Sequence, residues 1–373
     1  MVLISILTTL IYLILIGGFV LGFDKISTFK LENKPSKTTF SIVIPFRNEA
    51  KNLPVLLNSV SSLSYPKHMF EIIFIDDASE DNSVEIIKNH IAKHSNISIL
   101  INERHSNSPK KDAITTAVKH AKNEWTVTTD ADCQLPKLWL NSYDEFIQKT
   151  NAVCVAAPVT YKPEPNFCNT FQLLDMLSLQ GATIGGFGIK KPFLCNGANF
   201  AYTKQLFFDL HGFDGNTNTA SGDDVFFLEK ALKIKPKQTH YLKCEDTIVI
   251  TKAQPNWSDL IAQRMRWAAK TSAYQSWFSK LTGVTVLLMN TLVICLTLLA
   301  FIGAFKTKTL LYILIIKFNI DWYLIYKSAL FFNQRRVLKF YAFGFLVYPF
   351  FSVYVAILSM FFGYKWKGRH FRK

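Results

Sequence analysis

The chain has 373 residues, of which 49% are hydrophobic and 18% charged, and its formal net charge is +15. This length is enough for one large domain or two smaller ones, and the apolar content is high for a soluble enzyme, which indicates that the apolar residues are gathered into blocks. The positive charge does not indicate nucleic-acid binding, because the sequence contains no recognisable nucleic-acid module and its basic residues concentrate beside long apolar segments, as in membrane proteins.

Residues 1–23 form the first apolar segment, and no charged side chain precedes Asp24. About 20 apolar residues are enough to cross the hydrocarbon core of a bilayer, so this segment predicts a transmembrane anchor. A cleaved signal peptide is the alternative, but the segment has neither a basic n-region nor a small-residue cleavage site. We therefore expect residues 1–23 to be an N-terminal anchor.

Residues 38–255 alternate short apolar strands with helical patterns, up to about Val159. The first predicted elements are strand 40–45, helix 50–63, strand 71–75, helix 84–91, strand 97–101, helix 113–121 and strand 125–129. This alternation predicts an α/β fold with a doubly wound, mostly parallel sheet and helices on both faces. Later in the same region we predict a helix at 167–180 and loops at 185–188 and 195–199.

Acidic pairs follow two of these strands, where ligands bind in such sheets. Asp76 and Asp77 can accept hydrogen bonds from a base or a ribose, although they suit a turn and helix cap equally well. Asp130 and Asp132 can hold a hard divalent cation, Mg²⁺ or Mn²⁺, and leave ligand positions for phosphate oxygens. A solvated turn is the alternative for this second pair, and its place at the end of the fourth strand favours the metal site.

Charged residues at the starts of two predicted helices are further candidates for the ligand-binding site. Lys110 and Lys111 can contact phosphate, or they can be a solvated pair. Asp223 and Asp224 precede an apolar helix, where carboxylates favour the helix dipole. A carboxylate there can also take the proton of an acceptor hydroxyl as a general base.

Residues 256–279 predict an amphipathic helix in the membrane interface. It contains the segment Gln263-Arg-Met-Arg-Trp267. Taken alone, this segment indicates a basic interfacial helix with an aromatic anchor. Its arginine can also clamp phosphates, and its indole can stack on a sugar or base.

Residues 281–364 predict a C-terminal membrane region with about three hydrophobic segments, followed by a basic tail at 365–373. The middle segment is the weakest, since it contains Lys317 and Asp321. We expect it to be short, tilted or re-entrant. These two residues are four apart, so we expect a structural pair rather than part of an acceptor path.

Five motifs in this order resemble those of family 2 glycosyltransferases with the GT-A fold. The resemblance covers about residues 38–270 and is to the membrane-bound branch that includes cellulose, chitin and poly-N-acetylglucosamine synthases and ceramide glucosyltransferase. The motifs are Ser41-Ile-Val-Ile-Pro-Phe-Arg-Asn-Glu49, Ile75-Asp-Asp-Ala-Ser79, Asp130-Ala-Asp132, Gly222-Asp-Asp224 and Gln263-Arg-Met-Arg-Trp267.

The resemblance implies a nucleotide pocket lined by Pro45, Arg47 and Glu49. It further implies that Asp77, together with Asp76, holds the uracil or ribose of the donor. These roles belong to the family's pattern and are carried over residue by residue.

For the reacting groups, the resemblance implies that Asp130 contacts the nucleotide and that Asp132 binds the metal. It makes Asp224 the base, with Asp223 beside it. The family more often has Glu-Asp at this place, which leaves the choice of base open. The family's Gly-Lys helix start is Pro109-Lys110-Lys111 here, so the phosphate-binding lysine is undecided.

The remaining implied roles concern the sugar and the acceptor. Asn196 and Gly197 resemble the loop beneath the donor sugar. Gln263, Arg266 and Trp267 would close over the diphosphate and the acceptor channel.

We therefore expect an inverting, metal-dependent transferase that moves a sugar from a UDP-sugar to a lipid or lipid-linked saccharide. A processive polysaccharide synthase and a catalytically silent scaffold that binds nucleotide-sugars are the alternatives. We expect a cytoplasmic catalytic domain, in a bacterial inner membrane, and partner proteins of a polysaccharide or glycolipid pathway. Three C-terminal spans would put the basic tail outside, against the positive-inside rule, and the sequence leaves this topology open.

Overall fold

The computed structural model describes residues 1–92, 95–219, 221–367 and 369–371. Gly368, Arg372 and Lys373 of the predicted tail lie outside the described residues. The chain forms two compact units. One, the helical unit, consists of Met1–Ile26, Pro163–Leu194 and Ala253–Lys373, and the other, the sheet unit, consists of Ser27–Lys162 and Cys195–Lys252.

Helices and strands alternate as the sequence predicts over the first part of the sheet unit. The helices are α1 Val2–Lys25, α2 Leu53–Ser61, α3 Ser83–Ile91, α4 Pro109–His120, α5 Trp139–Lys149, α6 Phe167–Gly188, α7 Lys204–Asp209, α8 Asp223–Ile234, α9 Trp257–Ala269, α10 Trp277–Phe301, α11 Thr307–Phe331 and α12 Tyr341–Phe361. The strands are β1 Phe40–Phe46, β2 Phe70–Asp76, β3 Ile97–Ile101, β4 Trp125–Thr128, β5 Cys154–Ala156, β6 Val159–Tyr161, β7 Phe200–Thr203, β8 Thr239–Tyr241, β9 Val249–Thr251, β10 Tyr364–Trp366 and β11 Arg369–Phe371.

A seven-stranded sheet with the order β3-β2-β1-β4-β7-β5-β8 forms the centre of the sheet unit. Strands β3, β2, β1 and β4 are parallel to one another, β7 runs antiparallel to β4 and β5, and β8 is parallel to β5. Strands β1 and β2 are mostly apolar and buried, as expected for parallel strands covered on both faces, whereas Ile101 at the end of the edge strand β3 is 81% exposed. The predicted α/β fold with a mostly parallel sheet is therefore confirmed.

The register brings the ends of β1, β2 and β4 to one edge of the sheet. Phe46 is paired with Asp76 across β1 and β2, and Val43 with Thr128 across β1 and β4. The Thr129 amide continues this ladder and donates to the carbonyl of Val43 at 3.1 Å. The segments that begin after these strands therefore leave the sheet side by side.

Among the described residues, four helices of the helical unit are long and apolar enough to cross a membrane: α1, α10, α11, and α12 with the turn before it, Arg335–Phe361. The middle C-terminal segment is a continuous helix of 25 residues and therefore not short, while its expected tilted or re-entrant course stays a prediction. Its charges are compensated inside the helical unit. Lys317 donates to Asp321 at 2.6 Å, and the Tyr12 hydroxyl donates to the same carboxylate at 2.6 Å. The predicted pairing of Lys317 with Asp321 is confirmed.

Two predicted boundaries in the helical unit are wrong. The loop expected at 185–188 is the last turn of α6, where a Cβ on Gly188 would lie 1.8 Å from the carbonyl oxygen of Gly22. These glycines therefore permit close contact between the backbones of α6 and α1. The amphipathic helix expected over 256–279 ends at Ala269, and Ser276 then caps α10 by accepting a hydrogen bond from the amide of Ser279 at 3.2 Å.

Candidate active site

The loop after β1 is held against the loop after β2. Arg47 donates from Nη1 to the carbonyl oxygens of Asp77, at 2.8 Å, and Ala78. Its Nη2 lies 2.7 Å from the Glu80 carboxylate. The Glu49 amide donates to the Ser83 hydroxyl at 2.8 Å. Arg47 and Glu49 thus hold together the loops that follow β1 and β2. Pro45 lies within β1, just before them.

The two carboxylates after β2 have different surroundings. Asp76 Oδ1 accepts a hydrogen bond from the Ser79 amide at 2.9 Å, so it caps the turn. Asp77 is 7% exposed. Its Oδ1 accepts from Asn102 Nδ2 at 2.8 Å and from Arg104 Nη1 at 3.2 Å. Asn102 and Arg104 were not identified from the sequence. Their position just after β3, at an end of the sheet where ligands bind, could have indicated them.

Lys110 connects the carboxylates of two separate segments. Its Nζ lies 2.7 Å from Asp130 Oδ1 and 3.3 Å from Asp223 Oδ2. Burial by itself lowers the pKa of Lys110, but the charges of Asp130 and Asp223 raise it by more, so its pKa lies above the ordinary value of 10.5. The ammonium is consequently charged at neutral pH, beside carboxylates that follow β4 and begin α8.

Gly197 lies at the centre of this group. Its amide donates to Asp224 Oδ2 at 3.1 Å. A Cβ on Gly197 would lie 2.9 Å from Asp223 Oδ2 and 3.5 Å from Lys110 Nζ. Asn196, just before it, accepts from the Ala198 amide at 3.0 Å and caps a short 3₁₀ turn. The structure therefore brings the predicted 195–199 loop together with Lys110, Asp223 and Asp224.

Asn199 anchors this loop and was not identified from the sequence. It is fully buried. Its Oδ1 accepts from Trp139 Nε1 at 2.9 Å and from the Tyr143 hydroxyl at 2.8 Å, both on α5. Its Nδ2 donates to the carbonyls of Pro158 and Thr247, each at 2.7 Å. A fully hydrogen-bonded buried amide holds one orientation, so the adjacent Gly197 is placed rigidly.

Lys111 points to a different part of the sheet unit. It is 1% exposed, and its Nζ donates to the carbonyls of Asn216 and Thr219, each at 2.7 Å. Its ammonium also lies 4.9 Å from the centre of the Phe226 ring. These contacts fix the loop that leads into α8. Of the two lysines, Lys110 is the one that contacts Asp130.

Asp130 and Asp132 supply carboxylate oxygens, which are the ligands of hard divalent cations. Both side chains are half-buried, and the carboxylates that surround Lys110 favour a cation there. Within the described ranges, no group of three or more His, Cys, Asp or Glu side chains is arranged to hold a metal ion. Two carboxylates would leave the other positions of a hard cation to phosphate oxygens and water, which is the usual mode for Mg²⁺.

Gln263, Arg266 and Trp267 lie on α9 of the helical unit and are half-buried. The residue between them, Arg264, is buried and forms an ion pair with Asp175 of α6, with Nε and Nη2 each 2.7 Å from Oδ2. This pair was not identified from the sequence, where Asp175 is one polar residue within a mainly apolar helix.

Comparison with known families identifies a region that lies mostly in the sheet unit. The family model described as "Glycosyl transferase family 2" matches residues 41–209. The chain contains a glycosyltransferase family 2 domain. The matched residues include the segments that follow β1, β2 and β4 and the loop around Gly197.

Relatives of this glycosyltransferase domain share part of the chain. The chain is 30% identical over 121 residues to glycosyltransferase AglE of Haloferax volcanii, which covers 32% of this chain and 39% of that protein. It is 25% identical over 239 residues to dolichyl-phosphate beta-glucosyltransferase ALG5C of Trichomonas vaginalis, covering 62% of this chain and 65% of that protein. The chain thus spans less than two thirds of the length of these relatives.

A solved glycosyltransferase has a similar fold. The mannosyltransferase PcManGT from Pyrobaculum calidifontis, in complex with GDP-Man and Mn²⁺, aligns with a TM-score of 0.54 and 16% sequence identity. The alignment covers 96% of this chain and 96% of that chain. The predicted GT-A-like α/β fold with N- and C-terminal candidate membrane helices is confirmed.

Proposed function

We propose that this glycosyltransferase transfers a sugar, with inversion, from a UDP-sugar to a lipid or lipid-linked saccharide at the cytoplasmic face of a membrane. The observation that carries the proposal is the convergence of Lys110, Asp130, Asp223, Asp224 and Gly197 at one place in the sheet unit. Four segments that are distant in sequence supply these residues, and each has a chemical task in a transfer from a diphosphate donor.

The donor nucleotide is assigned to the end of β2. Asp77, held by Asn102 and Arg104, offers its carboxylate oxygens to the ribose or base. The loop fixed by Arg47 forms the adjoining wall. Lys110 lies between this region and α8, so its ammonium can neutralise the charge that grows on the leaving diphosphate.

Asp130 and Asp132 would hold a divalent cation, Mg²⁺ or Mn²⁺, together with phosphate oxygens of the donor. Such an ion, when bound, stabilises the negative charge of the leaving diphosphate. The mannosyltransferase of similar fold was solved with GDP-Man and Mn²⁺, which supports a divalent cation at this kind of site. Removal of the ion with a chelator should weaken binding of the nucleotide-sugar, as measured by titration calorimetry.

Asp224 is the proposed general base. An acceptor hydroxyl is a weak nucleophile, so a carboxylate must take its proton as it attacks the anomeric carbon. The Gly197 amide holds Asp224 Oδ2 at 3.1 Å, which orients the carboxylate. Displacement of the diphosphate in one step inverts the anomeric centre and needs no covalent nucleophile from the protein.

The acceptor is proposed to be a lipid or lipid-linked saccharide. Four candidate membrane helices accompany the glycosyltransferase domain, and the Trichomonas vaginalis relative is named for a dolichyl-phosphate acceptor. A phosphate monoester is largely ionised at neutral pH and needs little help from a base, whereas a hydroxyl needs that help. The dependence of turnover on Asp224 therefore distinguishes the two acceptor chemistries.

The test is turnover by the full chain in lipid nanodiscs, with a panel of labelled UDP- and GDP-sugars and Mn²⁺. We expect release of the nucleoside diphosphate and a labelled product that extracts into organic solvent. Asp224→Asn should lower kcat by about 100- to 10,000-fold with a hydroxyl acceptor and leave donor affinity nearly unchanged. Asp246→Asn, an exposed carboxylate in the same unit, is the matched control. Unchanged turnover of Asp224→Asn with a hydroxyl acceptor would refute the proposed base.

Product length separates the proposal from a processive synthase, since a ladder of polymer would contradict single transfer. A protein that binds every nucleotide-sugar tested without turnover would instead be a scaffold. The cytoplasmic orientation rests on the supply of nucleotide-sugars in the cytosol. A cysteine introduced by Lys119→Cys, at an exposed position of α4, should react with an impermeant maleimide only in inside-out vesicles.

A further inference from the structure

A buried ion pair joins α6 to α9 inside the helical unit. Arg264 Nε and Nη2 each lie 2.7 Å from Asp175 Oδ2. The side chains are 7% and 6% exposed, so both charges are largely removed from water. Such burial is costly, and an apolar pair of similar volume often stabilises a protein as well or better. Stability alone therefore does not account for this pair.

The guanidinium of Arg264 also contacts two of the three motif residues on α9. Its Nη1 donates to Gln263 Oε1. Its central carbon lies 4.2 Å from the centre of the Trp267 ring. Because Trp267 follows three residues later on the helix, the two side chains lie on the same face. The guanidinium of Arg264 therefore contacts both the Gln263 amide and the Trp267 indole.

Other contacts join α6 and α9 independently of the ion pair. The Trp257 ring, at the start of α9, lies 5.2 Å from the ring of Phe171 on α6. Gln172 Nε2 donates to the carbonyl of Gln254 at 2.9 Å, and the Gln254 amide donates back to Gln172 Oε1 at 2.8 Å. These contacts should keep α9 packed on α6 when the ion pair is removed.

We propose that Asp175 is a positioning residue, which orients Gln263 and Trp267 through Arg264. A lone arginine on a helix face samples many rotamers, and the carboxylate restricts it to the one that contacts both motif residues. This inference rests on the proposed function and on the part in sugar transfer that the family resemblance implies for Gln263 and Trp267. A misplacement of about 1 Å in such groups is enough to lower turnover by about 100-fold.

The test compares Asp175→Asn with Asp175→Glu and with the control Asp24→Asn. Asparagine keeps the shape but loses the charge, and glutamate restores the charge at a longer reach. Asp24 is 60% exposed, and its ion pair with Lys327 contacts neither motif residue. The proteins are labelled with 5-fluorotryptophan and reconstituted in nanodiscs, and the ¹⁹F resonance of Trp267 is assigned with Trp267→Phe.

We expect Asp175→Asn to shift or broaden the Trp267 resonance and to leave that of Trp257 in place. Its kcat should fall about 10- to 100-fold, with a smaller change in the KM for the donor, and Asp175→Glu should recover part of the loss. Asp24→Asn should match the wild type in both measurements. An unchanged Trp267 resonance in Asp175→Asn would overturn the proposal, and so would a common shift of all the tryptophan resonances, which indicates a structural role.

The spectroscopic readout keeps this test separate from that of the proposed function. If the wild type turns over no nucleotide-sugar, the proposed function fails, while the resonance of Trp267 still reports whether Asp175 orients it. If the wild type is active and Asp175→Asn keeps its full kcat, the positioning role fails and the proposed function stands.

Discussion

Replacement of Lys110 by methionine tests the electrostatic centre of the site. Methionine keeps most of the length of the lysine side chain but removes the ammonium between Asp130 and Asp223. Removal of one partner from a buried ion pair costs about 3–5 kcal/mol, because the other charge stays buried. Here the side chains are 18% exposed for Lys110, 10% for Asp223 and 36% for Asp130, so water screens part of the interaction. We therefore expect a loss of about 2 kcal/mol.

A loss of this size should lower the melting temperature of the sheet unit by about 4–8 °C. The measurement is a thermal melt of the full chain in nanodiscs. Mn²⁺ should raise the melting temperature of Lys110→Met by more than that of the wild type, because the ammonium no longer competes for Asp130 Oδ1. Loss of a charge-assisted contact should also weaken binding of UDP by about 10- to 100-fold, measured by calorimetry.

The matched control is Lys119→Met, which removes an exposed lysine from the last turn of the same helix. Lys119→Met should have the melting temperature of the wild type and the same affinity for UDP. A Lys110→Met protein with the melting temperature and UDP affinity of the wild type would refute the reasoning. The contacts of Lys110 would then have no part in either stability or donor binding.

Two further predictions concern packing and pH. Gly188→Ala should sharply reduce the fraction of folded protein, because its Cβ would lie 1.8 Å from the Gly22 carbonyl oxygen. The control Gly18→Ala, with open space around its Cβ, should fold normally. The measurement is gel filtration of the membrane-extracted protein in detergent. Burial lowers the pKa of His240 below its ordinary value of 6.5. As the pH drops below about 6.5, His240 is therefore protonated more readily in the unfolded chain than in the folded one, and the free energy of unfolding decreases. His240→Phe should reduce the loss of melting temperature between pH 7.5 and 5.5, whereas the exposed-site change His68→Phe should not. Normal folding of Gly188→Ala, or an unaltered pH dependence in His240→Phe, would contradict these explanations.

The type of fold could be predicted from the sequence because it depends on patterns within short segments, such as apolar runs and the residues that follow them. Strands such as Ile97–Ile101 appear as short apolar runs, and acidic pairs after two of them indicated where ligands would bind. The apolar segments of the helical unit are long enough to be recognised one at a time. The order of the motifs indicated a family 2 glycosyltransferase domain, and the family 2 match to residues 41–209 confirms that domain.

The tertiary structure decided which side chains meet. Lys110 and Lys111 are neighbours in sequence, but successive residues on a helix point about 100° apart, so only the packing around α4 distinguishes them. Gly188 looked like part of a loop, since local sequence does not reveal that another backbone lies against it. The ion pair of Asp175 with Arg264 joins residues far apart in the chain. Contacts of this kind depend on how whole helices and strands pack, and the periodicity and motif spacing of the sequence do not predict them.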